Sequence, residues 1–112
     1  MVKALTAKLL VTAVLPDGKR VELDARIRPP YEGDDRYWIS RVQIKPLQNE
    51  PVDVRGVDSF HSIWLACQLI LKLLTQLRAE GARLENADGS EFPLDAYLAG
   101  LDQPSAKSGD GG

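Results

Sequence analysis

The chain has 112 residues, a formal net charge of -2 and 27% charged side chains, which suits one domain with a single core. No concentrated basic surface is written into it, so nucleic acid is not an expected partner. A single cysteine rules out an internal disulfide and, with no signal peptide in the loosely alternating Met1–Leu15 stretch, points to a cytoplasmic protein. The charge is uneven: the first 28 residues lean basic and residues 81–112 lean acidic, a lean that steers encounters and specifies no ligand.

From Ala4 to Leu15 the side chains alternate loosely. Leu5, Ala7, Leu9, Val11, Ala13 and Leu15 share one face, as expected of a first strand. Pro16-Asp17-Gly18-Lys19 has turn chemistry. A second strand follows with Val21, Leu23, Ala25 and Ile27 on one side and Arg20, Glu22, Asp24, Arg26 and Arg28 on the other, the pattern of an antiparallel hairpin with one wet face. Pro29 and Pro30 end it, and Tyr31–Arg36 reads as a polar connection. Asp34 and Asp35 fall short of a calcium loop, and no metal or cofactor is expected.

Tyr37–Leu47 gives a third strand, with Trp38, Val42 and Ile44 opposite Tyr37, Ile39, Arg41, Gln43 and Lys45. Val52–Val57 is a candidate fourth strand at an edge. The segment from Asp58 to Glu80 is the long helical signal, capped by Asp58 and ended by Gly81. At 100° per residue, Ile63, Ala66, Cys67, Ile70, Leu73, Leu74 and Leu77 form its apolar face. Trp64 and Leu71 flank that face, and Leu65 and Leu69 lie near the polar side. These four are the candidate interface residues. The apolar run Ile63–Leu74 is broken by Gln68 and Lys72 and is too short to span a bilayer, so no membrane is expected. Ala82–Glu85 extends briefly, Asn86–Gly89 turns, and Leu94–Leu101 makes one or two helical turns. From Gln103 onward the residues have nothing to bury, which predicts a disordered tail.

The expected fold is therefore α+β: an antiparallel sheet of three to four strands with one long helix across one face, and a short C-terminal hairpin or helical turn. Residues 1–101 form one domain and 102–112 the tail. Across Gly56, Val57, Asp58, Ser59 and Phe60 and on through Ala66, the chain resembles a family of small bacterial proteins classified only as a domain of unknown function, in which a Gly-x-Asp-Ser segment opens a long helix. The resemblance implies this order of elements and no activity.

Catalytic signals are weak. His61 reads as an exposed histidine on the solvent side of the first helical turn, and Ser59 and Ser62 beside it belong to capping positions and that turn. Cys67 lies on the apolar face as a small hydrophobe. The leading expectation is a non-enzymatic interaction domain, a homodimer or a partner of another protein. The alternative is a small-molecule or anion site built from Arg26, Arg28 and Arg41 beside Tyr37 and Trp38. An enzyme ranks third.

Overall fold

The computed structural model describes residues 5–102, with side chains as far as Ala99. The start of the expected first strand at Ala4 and the expected tail from Gln103 lie outside the described residues. Strand β1 (Ala7–Val14) and strand β2 (Arg20–Ile27) form the expected hairpin, from Ala7 opposite Ile27 to Val14 opposite Arg20. Its turn uses Gly18 at φ +88°, where a Cβ is disfavoured.

Among the described residues the sheet has six strands, so the expectation of three to four is corrected. After β3 (Tyr31–Glu32), β4 (Trp38–Lys45), β5 (Val52–Gly56) and β6 (Arg83–Glu85), the strands run β5-β4-β2-β1-β6 across the sheet, and β3 continues β2's place along β4. β3 and β6 span two and three residues, too few for alternation to show. Pro29 and Pro30 break the β2 ladder without turning the chain away. Pairing with β4 resumes one residue out of step, with Ile27 opposite Val42 and then Tyr31 opposite Ile39. The prolines occupy a bulge, one of the few places in a sheet where a residue without an N–H is tolerated.

Helix α1 (Ser59–Ala79) leaves β5 at one edge and delivers the chain to β6 at the other, with Asp58 and Glu80 as its caps. Its 21 residues reach about 31 Å, more than the roughly 19 Å between the axes of the two edge strands. By length and composition alone α1 could cross a membrane. In the fold it lies on the sheet, where Ala66, Ile70 and Leu74 meet Val11, Leu23, Ala25, Ile27, Val42 and Ile44 in the buried core. Phe92 and Leu94 close one end of that core. Helix α2 (Leu94–Asp102) follows, with Leu98 packed against the core, Phe92 stacked on Tyr97 at 5.0 Å, and Arg78 of α1 paired with Asp95 at 2.9 Å on the exposed side.

The N-terminal end of α1 comes very close to the sheet. A Cβ on Gly56 would stand 2.4 Å from the Ser62 backbone nitrogen. Beside it, the Oγ atoms of Ser40 and Ser62, both fully buried, are 2.8 Å apart. The glycine of the Gly-x-Asp-Ser segment is thus required by backbone-to-backbone contact.

Candidate functional site

Two concave places on the described surface stand out by the residues that line them. The larger is an open groove of about 620 Å³ on the outer side of α1, between β5 and α2. Leu65, Leu69 and Leu71 line it with Val52, Val54 and Leu98, and Asp53, Gln68, Lys72 and Thr75 complete its walls. The helix periodicity creates it: α1 commits one face to the sheet and still carries leucines on its flanks. β5 forms its other bank. Among the described residues no strand pairs with the outer edge of β5, whereas β6 is covered by the return of the chain, Glu85 bridging to Glu91.

Three of the four candidate interface residues line the groove. The fourth, Trp64, lies outside it and is 39% exposed. One turn before Trp64 stands Phe60, 80% exposed, which the sequence reading left aside. Phe60, Trp64 and Leu71 fall on one stripe of the helix, so the apolar surface continues beyond the groove. Phe60 stands four residues before Trp64, and that i, i+4 spacing is its signal in the sequence.

The second place is on the opposite face of the sheet. The register sets Lys8 opposite Arg26, Arg26 opposite Gln43, Asp24 opposite Lys45 and Arg41 opposite Asp53. Arg28 joins them because its backbone N–H donates to the Arg41 carbonyl at 3.0 Å. The three arginines predicted from the sequence converge: Arg26, Arg28 and Arg41 line one cleft of about 180 Å³ with Asp24, Gln43 and Lys45. Tyr37 and Trp38 do not take part. Trp38 alternates onto the helix side, opposite Glu32 and Gly56. Tyr37 is exposed beneath the Arg55 guanidinium at 5.3 Å, and Arg55 in turn pairs with Asp35. Asp24, Gln43 and Lys45 were legible only as members of a wet face, because their convergence depends on strand order.

Arg26 donates from Nε and Nη2 to both Asp24 oxygens at 2.9 Å, and Arg41 does the same to Asp53 at 2.8 and 3.3 Å. The hydrogen bond from Arg26 holds the Asp24 carboxyl below its ordinary range, with Lys8 and Lys45 adding to it. Arg41 does the same for Asp53. These pairs are solvent-facing and add little stability, but they fix where the guanidiniums lie.

His61 and Cys67 are placed by the fold in structural settings. His61 Nδ1 accepts from the Val57 N–H at 3.0 Å while the His61 backbone N–H donates to Asp58 Oδ1 at 2.7 Å, so the residue ties the helix start together. Burial pushes the Cys67 thiol up, away from the thiolate a nucleophile needs. Among the described residues no group of three His, Cys, Asp or Glu is placed to hold a metal ion. Comparison with protein-family models, with curated proteins and with solved structures finds no match to this chain.

Proposed function

We propose that this protein is an interaction domain that self-associates through the outer side of α1. The observation that carries the reading is the apolar groove lined by Leu65, Leu69 and Leu71, continued by Phe60 and Trp64 on the same helix. Keeping these side chains in water costs free energy that a partner's apolar surface would recover. A standard interface covers about 800 Å² per partner, wider than the groove alone, so Phe60 and Trp64 belong to its footprint.

A second copy of the chain is favoured as the occupant by charge. The groove's walls carry one cation, Lys72, and one anion, Asp53. A two-fold copy therefore meets no concentration of like charge there. The cleft on the sheet face, where Arg28 and Lys45 stand without a carboxylate partner among the described residues, would repel its own copy.

Size-exclusion chromatography with light scattering tests this on the wild type and on Trp64→Ala combined with Leu71→Ser, with circular dichroism to check folding. The expected result is a wild-type dimer and a folded monomeric variant. A wild type that remains monomeric at about 100 μM, where a micromolar dimer would be mostly associated, would remove self-association.

A further inference from the structure

We propose that the cleft on the outer sheet face is a binding site for a phosphate monoester, held by Arg26, Arg28 and Arg41. The site is separate from the α1 groove and does not rest on the self-association reading.

Charge comes first. Arg26, Arg28, Arg41 and Lys45 line the cleft, and two of these four cations are bonded to carboxylates, Arg26 to Asp24 and Arg41 to Asp53. Arg28 and Lys45 have no ion pair among the described residues. The uncompensated charge of the cleft is therefore that of Arg28 and Lys45 together, on a chain whose net charge is -2. A phosphate monoester carries about -1.5 to -2 at pH 7, which balances that excess.

Geometry comes second. A guanidinium presents five N–H donors in a rigid fork. Arg26 and Arg41 each commit Nε and Nη2 to an aspartate, and their Nη1 groups have no partner among the described residues. The aspartates thus act as braces: they hold two forks in place before any ligand arrives, which lowers the ordering cost of binding. Arg28 is half-buried, so its stem is constrained as well. Arginines held in this way suit the several oxygens of a tetrahedral oxyanion, and the Gln43 amide adds a further donor.

Size sets the ligand class. At about 180 Å³ the cleft equals roughly six waters at about 30 Å³ each, well under the roughly 300–1,000 Å³ of sites that enclose a whole small molecule. It takes a phosphate and the first atoms attached to it and leaves the rest of the ligand outside. The same chemistry is offered by a small phosphorylated metabolite and by a phosphorylated side chain of another protein.

The test is a nitrogen-15 NMR titration of the full chain, following the arginine Nε–H and backbone amide signals. The probes are glycerol 3-phosphate, glycerol, a phosphoserine peptide with neutral flanks, and the same peptide without phosphate. Saturable shifts at Arg26, Arg28, Arg41 and Gln43 are expected with the phosphorylated probes and none with the other two. Tighter binding of the peptide would name a phosphorylated protein as the source, and tighter binding of glycerol 3-phosphate a metabolite. Arg28→Gln and Lys45→Gln should each weaken binding about tenfold, the loss of one charge-assisted hydrogen bond, with circular dichroism unchanged. Lys72→Gln, on the other side of the molecule, should leave affinity as it was. Shifts that grow without saturating, that appear equally at Arg20 and Arg83, or that survive both cleft substitutions would overturn the proposal.

Discussion

The two ends of α1 meet the sheet in opposite ways. At the N-terminal end the contact is made of small residues, Gly56, Ser40, Ser62 and Ala66, and backbone nearly touches backbone. Toward the C-terminal end it is made of large ones, with Ile70 and Leu74 filling the space above Val11, Leu23 and Ile44. The first contact is specified by what is missing and the second by what is present. The difference bears on function because neither end takes in Phe60 or Trp64, which the helical period places on the flank of α1. Those rings are left outside on α1, where they extend the groove.

Enlarging a residue at each end, or shrinking one, separates the two modes. Gly56→Ala should cost about 3 kcal/mol, the upper end of overpacking costs. Its Cβ would press on backbone atoms of His61 and Ser62 at 2.4 to 2.8 Å, which cannot rotate away. Gly18→Ala is the control, with φ +88° and nothing within 4 Å; it should lose only about 1 kcal/mol to backbone conformation. At the other end, Leu74→Ala should also cost about 3 kcal/mol, but as a cavity. Urea unfolding distinguishes them further, because Leu74→Met should be tolerated within about 1.5 kcal/mol and Gly56→Ser should not. A Gly56→Ala protein as stable as wild type would mean the tight contact is not required.

The large-residue end was open to sequence reading and the small-residue end was not. Ile70, Leu74 and Leu77 announce a helix face by their spacing, and Val21, Leu23, Ala25 and Ile27 announce a strand face by theirs. Ser40 and Ser62 look polar and surface-bound in the sequence, and only their mutual hydrogen bond makes them core. β3 escaped because two residues after a double proline carry no period, and Ala82–Glu85 showed as a brief extension but not as a strand of the sheet, because three residues carry hardly more. The binding surfaces divide in the same way. Leu65, Leu69 and Leu71 could be named from the helical period alone, since a helix fixes its own neighbours. The arginine cleft needed β2 to lie beside β4 in one register, so Arg26, Arg28 and Arg41 could be grouped while Lys45 and Gln43 could not. Tyr37 and Trp38 were grouped with them wrongly, because alternation and the loop between β3 and β4 carry them elsewhere.

The serine pair gives a smaller and directional prediction. Ser62 Oγ lies 3.0 Å from the Ser59 carbonyl and donates to it. A hydroxyl has one proton, so Ser40 must be the donor in the 2.8 Å bond between the two side chains. Ser62→Ala then strands a buried O–H on Ser40 and should cost about 2 kcal/mol, whereas Ser40→Ala removes a donor from an oxygen that keeps its own bond and should cost about 1 kcal/mol. With both replaced, no orphan donor remains, and stability should return close to that of Ser40→Ala. Equal losses for the two single variants would show that the hydroxyl protons are arranged otherwise.

The cap that precedes this contact should have the smallest effect, and its chemistry decides what can replace His61. Asp58 accepts the His61 N–H at 2.7 Å, and the His61 ring accepts the Val57 N–H at 3.0 Å through Nδ1. Two backbone donors at the helix start are thereby satisfied reciprocally, as in a capping box, except that the third-position side chain reaches one residue further back. Asp58→Ala should cost about 1 kcal/mol. His61→Ala strands only the Val57 donor, which is exposed and takes water instead, so about 0.5 kcal/mol is expected. Glutamine offers an acceptor oxygen at a similar reach, so His61→Gln should recover that loss. Such a result would identify the ring as an acceptor that any suitable side chain can supply. If glutamine behaves like alanine while self-association also fails in the light-scattering assay, His61 has a role at the α1 surface that its hydrogen bonds do not account for.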